Sequence, residues 1–183
     1  MRIPLLTIAL FLAALTSCRA QFTILTLRGA GDDALPVIPA FRLTDVIDYR
    51  NDTLTIGLIK PGGALNKVEM ANLEGGCAGT LKRYIQQILP QADGKPMVAM
   101  VIKDLRISEE MRFMRETARL HVTYEFYRLD GKNFPLVFTF SRDFEWRGFD
   151  VTLRHEANIR RSVREALEEF AAASAKGVVT ARR

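Results

Sequence analysis

The chain has 183 residues, of which 26 are basic and 21 acidic, for a net charge of +5, and 48% of it is hydrophobic. That length suits one domain with a core of its own, and its two cysteines, Cys18 and Cys77, exclude a small disulfide-stapled scaffold. Acidic and basic residues are mixed along the chain, which gives only a weak preference for anionic surfaces.

The first segment carries Arg2, an apolar run from Ile3 to Leu15, and then Leu15-Thr16-Ser17-Cys18. A membrane-spanning helix needs about 20 apolar residues, and this run is too short and holds Pro4 near its start. A positive start, a short apolar stretch and small residues behind it make an export signal, expected over residues 1–17. Leu-Thr-Ser-Cys fits a bacterial lipobox, with cleavage before Cys18 and diacylglycerol on its sulfur. Several acyl chains hold stably, because each buried methylene contributes about 0.8 kcal/mol. The alternative is cleavage after Ala20, which leaves a soluble secreted or periplasmic protein, either a carrier of a small apolar ligand between sheet and helices or a Cys77-dependent enzyme. An exported location makes nucleic acid an implausible partner under either reading. With Cys18 acylated, only Cys77 keeps a free thiol, so the fold must hold by packing.

Phe22 to Leu27 is apolar and β-branched and stops at the loop-forming cluster Arg28-Gly29-Ala30-Gly31-Asp32-Asp33, so it reads as an edge strand or a tether. Leu35 to Tyr49 mixes Pro36 and Pro39 with Phe41, Leu43, Val46 and Ile47, and irregular packing is expected. Residues 18–52 thus form an anchor and irregular segment ahead of a single domain over 53–174. That domain opens with Leu54, Ile56 and Leu58 alternating with Thr53, Thr55 and Gly57, a strand ended by Lys60-Pro61-Gly62-Gly63.

Gly75-Gly76-Cys77-Ala78-Gly79-Thr80 leads into a helix. It lacks the lysine of a phosphate-binding loop. Cys77 reads either as a nucleophile, for which His121 or His155 would have to approach in space, or as a packed thiol. Thr80 is the expected N-cap, with Leu81, Tyr84, Ile85 and Ile88 on one buried face, and Leu89 before Pro90 leaves the helix. Met97 to Ile107 reads as a strand, central in its first half and half-exposed in its second.

Leu120, Val122, Tyr124 and Phe126 alternate with polar residues, and the pattern resumes after Leu129-Asp130-Gly131-Lys132 with Leu136, Phe138, Phe140, Arg142 and Phe144. Asp-Gly between alternating runs predicts a hairpin. A helix from about Thr152 to Ser174 covers it, with Ile159, Val163, Leu167 and Phe170 in one stripe. Its other side holds Arg160, Arg161 and Arg164, a possible contact for an anionic lipid surface or an acidic partner, beside Glu165, Glu168 and Glu169. Trp146 and Phe149 are expected in core or hairpin-end packing. His121 and His155 are expected to lack the partners of a metal or acid–base site. No catalytic residue, metal ligand set or cofactor is expected, and Ala175 to Arg183 reads as a mobile basic tail.

The sum is an α+β fold, an antiparallel sheet of about four or five strands with two helices on one face. The lipobox, the strand ending in Thr55-Ile56-Gly57-Leu58-Ile59, a helix, Val101-Ile102-Lys103-Asp104-Leu105-Arg106-Ile107-Ser108, two further strands and a long C-terminal helix resemble the YajG-like lipoproteins and the auxiliary lipoproteins of ABC-type lipid transport. The resemblance spans roughly Leu54 to Ala172. It implies an outer-membrane lipoprotein facing the periplasm, held in the membrane through lipidated Cys18, that serves envelope proteins or lipids as an assembly or transport accessory without turnover.

Overall fold

The computed structural model describes residues 22–27, 34–35, 40–61, 67–90, 93–112, 115–149 and 151–177. The export signal, Cys18 and the last residues of the basic tail lie outside them. The elements in chain order are β1 (Phe22–Leu25), β2 (Arg42–Asp48), β3 (Gly57–Ile59), β4 (Glu69–Leu73), α1 (Cys77–Ile88), β5 (Met97–Arg112), β6 (Arg115–Arg128), β7 (Leu136–Gly148) and α2 (Arg154–Ala175).

One seven-stranded sheet runs β1-β4-β3-β5-β6-β7, and β2 pairs with β5 beside this path. The pairs β5–β6, β6–β7 and β3–β4 are antiparallel, whereas β1–β4, β2–β5 and β3–β5 are parallel. This corrects the expectation of a purely antiparallel sheet of four or five strands. The physical reason is the 42–48 segment, which was expected to pack irregularly. Leu43 and Val46 are buried, and the strand lies along β5 from Arg42↔Met97 to Asp48↔Ile102 with one register shift. Phe22 to Leu25 takes the edge-strand reading of its segment.

β2 and β3 lie end to end along the same edge of β5, the first at its start and the second at Ile107 and Ser108. The excursion between them is held by Arg50, whose guanidinium donates to both Asp48 oxygens at 2.8 Å and to the Thr55 carbonyl at 3.0 Å. β3 is shorter than the expected strand and begins at Gly57, whose φ is +142°. A Cβ there would meet the Ile107 carbonyl oxygen at 1.9 Å, so only glycine lets β3 approach β5.

Gly75 and Gly76, both at positive φ, turn the chain from β4 into α1. The helix therefore starts at Cys77, and Thr80 is not its N-cap. Its hydroxyl lies in the first turn and donates to the Glu74 carbonyl. The expected stripe Leu81, Tyr84, Ile85 and Ile88 is buried, and Leu89 is extended before Pro90. Both helices pack on one sheet face over a single core. Phe170 of α2 stacks on Phe126 at 4.5 Å between centroids and meets Phe41 at 4.4 Å, and Tyr124 Oη lies 3.0 Å from Ser162 Oγ. Burying each such aromatic contributes about 1.5–3 kcal/mol, so α2 is held by its apolar stripe rather than by its charges.

Candidate functional site

With the helices on one side, the other face of β5, β6 and β7 is open. Its side chains follow from the register in transverse rows: Glu110, Thr117 and Arg147; Ser108, Arg119 and Glu145; Arg106, His121 and Asp143; Asp104, Thr123 and Ser141; Val101, Glu125 and Thr139; then Ala99, Tyr127 and Leu136. The face is therefore polar toward the β5–β6 turn and apolar toward the start of β5.

In the polar half, a groove of about 570 Å³ lies over Arg106, Arg119, His121 and Asp143. Its charges satisfy one another. Arg106 pairs with Asp104 at 2.6 Å, His121 Nδ1 lies 2.7 Å from Asp143, and Arg119 reaches Glu110 at 2.8 Å. His121 thus does have a carboxylate partner, contrary to expectation. So does His155, fully buried, with Nε2 3.0 Å from Glu109 Oε1. Among the described residues no group of three or more His, Cys, Asp or Glu side chains could hold a metal ion.

In the apolar half, a depression of about 500 Å³ is lined by Ile47, Tyr49, Val101, Lys103, Tyr127 and Phe134. Ile47 and Tyr49 come from β2 and its end, and a register shift next to Lys103 brings that ammonium over the Tyr49 ring at 4.2 Å. Tyr127 donates to Glu125 at 2.7 Å, and this hydrogen bond pushes the phenol up to about 12. Phe134 and Tyr49 are 60% and 66% exposed. Such clustered apolar surface, without a cover among the described residues and with a single ammonium at its rim, has the composition of a binding patch.

Cys77 points elsewhere. It is 2% exposed, and burial pushes its thiol up to about 12 despite the nearby Arg50 guanidinium. A thiol so placed stays protonated at neutral pH, whereas a nucleophile must ionise. Arg161 and Arg164 lie on the outer side of α2, paired with Glu165 at 2.6 Å and Glu168 at 3.6 Å, and Arg160 is half-buried beside them. Arg142 of β7 shares Glu165 and reaches Glu169 at 2.8 Å. Cys18 lies outside the described residues.

The depression was missed in the sequence because its residues come from four separate stretches. One local signal existed. Along β6 the outward positions Arg119, His121, Thr123 and Glu125 give way to Tyr127, and Leu129 follows, so the polar side of the alternation turns apolar at the depression.

No protein-family model matches the chain, and no curated protein matches it. Among solved structures it is similar to a crystal structure of a DUF330 protein from Xanthomonas campestris, at 8% identity and a TM-score of 0.45, over 86% of this chain and 96% of that one.

Proposed function

We propose that this chain is a lipid-anchored module of the bacterial envelope that binds without turnover, of the YajG-like or transport-accessory kind. It is tethered through Cys18 and engages an apolar segment of an envelope protein, or a lipid, in the depression between Tyr49 and Phe134. The observation that carries the reading is the division of the open face, where charged side chains neutralise one another in one half and apolar side chains stand uncovered in the other. Tethering raises effective concentration at one membrane surface, so a shallow patch suffices where a free protein would need higher affinity. The protonated, buried Cys77 supports binding rather than nucleophilic chemistry. No helix among the described residues is long and apolar enough to cross a membrane.

The test combines a palmitate analogue with a photoreactive side chain. Wild-type protein takes up the label and Cys18→Ala protein does not. A photoreactive residue at position 49 crosslinks to an envelope component, one at position 143 does not, and Val101→Lys abolishes the crosslink. An unlabelled wild type sinks the tether; equal crosslinking from both positions sinks the depression.

A further inference from the structure

The end of the sheet opposite the depression has a chemistry of its own. One transverse row joins Phe22, Met70, Leu58, Ser108, Arg119 and Glu145, so the start of β1 lies level with the last third of β7, next to Trp146. Beyond this row stand the β5–β6 turn, the end of β7 and the entry to α2. There Met111, Trp146, Phe149 and Leu153 are 42%, 45%, 84% and 77% exposed. Of the core or hairpin-end packing expected for Trp146 and Phe149, the core part does not hold: both are exposed at the end of β7, with Arg154 over the Trp146 ring. That guanidinium sits 4.5 Å from the Trp146 ring, and Arg147 lies between the two aromatic residues in sequence. Among the described residues, the Glu145 and Glu116 carboxylates at this end are engaged within the protein. Glu145 pairs with Arg147 at 2.7 Å and with Arg119 at 3.5 Å, and Glu116 accepts the Val151 amide at 3.3 Å.

Scattered exposed apolar residues need no explanation, but tryptophan, phenylalanine and leucine grouped with the Arg154 guanidinium match the layered chemistry of a bilayer surface. Acyl chains accept the aliphatic and aromatic groups, the headgroup layer suits indole, and phosphates pair with guanidinium. The covalent chain selects this occupant over a protein. Cys18 precedes Phe22 by four residues, which span at most about 14 Å. A bilayer holding Cys18 therefore lies within that reach of Phe22, at the β1 edge of this end of the sheet. The depression at Val101 is seven residues farther along β5, about 23 Å away, and cannot touch the same bilayer surface while the strands stand across it.

We propose that the Trp146 end of the sheet rests on an anionic membrane surface, with Phe149 and Leu153 at the headgroup–acyl boundary and Arg154 on lipid phosphates. The proposal rests on the Cys18 tether. Trp146 is the only tryptophan of the chain, so its emission reports this end alone. Full-length lipidated protein in phosphatidylethanolamine–phosphatidylglycerol vesicles loses Trp146 emission when the acyl chains are brominated, and loses less in phosphatidylcholine vesicles. A Phe149→Ser/Leu153→Ser protein, changed only at exposed side chains, stays vesicle-bound and escapes quenching. Vesicle-bound wild type whose emission survives bromination overturns the proposal, as does quenching undiminished in the double variant or equal in the neutral vesicles. Shielding of Trp146 from aqueous iodide without bromine quenching would mean that a protein covers the patch, and overturns it too. Wild type that takes no palmitate label and remains in the supernatant defeats the tether itself, and this proposal with it.

Discussion

Glu109 is buried where β5 meets the entry to α2, and its carboxylate accepts hydrogen bonds from His155 Nε2 at 3.0 Å and from the Lys60 amide at 2.6 Å. Burial pushes its carboxyl up, but these bonds, with one from Thr152, outweigh burial and hold it below the ordinary value of 4.5. A carboxyl depressed in the folded state stabilises the fold above its unfolded value, and that contribution is lost as pH falls through the folded value. The urea midpoint of the wild type is therefore expected to drop as the solution is acidified below about pH 4.5. Glu109→Gln should lower stability by about 1–3 kcal/mol at neutral pH and flatten the acid limb. A variant that keeps the wild-type slope between roughly pH 5 and pH 3, the range of carboxyl titration, would show that Glu109 does not carry the acid limb. The same contact explains why His155 went unread. Its partner is 46 positions away, and a helix-start histidine carries no local sign of a strand carboxylate.

At the scale of elements, β3 depends on one missing side chain. Gly57→Ala must move the Ile107 carbonyl and occupy a strained φ, which costs on the order of 1–3 kcal/mol before any loss of pairing. Thermal unfolding should fall accordingly, and amide protection should fall first at Ile107, which donates to the Ile56 carbonyl at 2.7 Å. An unchanged melting curve would contradict the close approach. Elements made by local rules were legible in the sequence. The β6–β7 hairpin, the buried stripe of α1 and the four-residue stripe of α2 all show their periods within a dozen or so residues. The parallel pairs were not legible, because Arg42 meets Met97 and Phe22 meets Met70 with entire elements between them. A strand such as β2, interrupted by a register shift and preceded by two prolines, has no clean alternation to read. The depression inherits this difficulty, since Ile47 and Tyr49 reach it only through the β2–β5 pairing.

At the scale of the molecule, β5 spans the distance between the two ends, and this makes the proposed orientation measurable. Val101 lies at the depression and Met111 at the opposite end, ten residues apart and thus about 33 Å along the strand. In vesicles of the full-length lipidated protein, a donor dye at position 153 should transfer energy strongly to headgroup acceptors, and one at position 49 weakly. Equal transfer from both would mean that the sheet lies flat on the bilayer.

The parallel pairing of β1 with β4 has a mechanical consequence. Phe22 to Leu25 is matched with Met70 to Leu73 along its whole length, and its first residue points toward the end proposed to meet the membrane. A partner that draws the depression away from the bilayer would pull β1 along its own axis. The four matched positions then bear the load together in shear, instead of parting one after another as they would if the strand were peeled from its side.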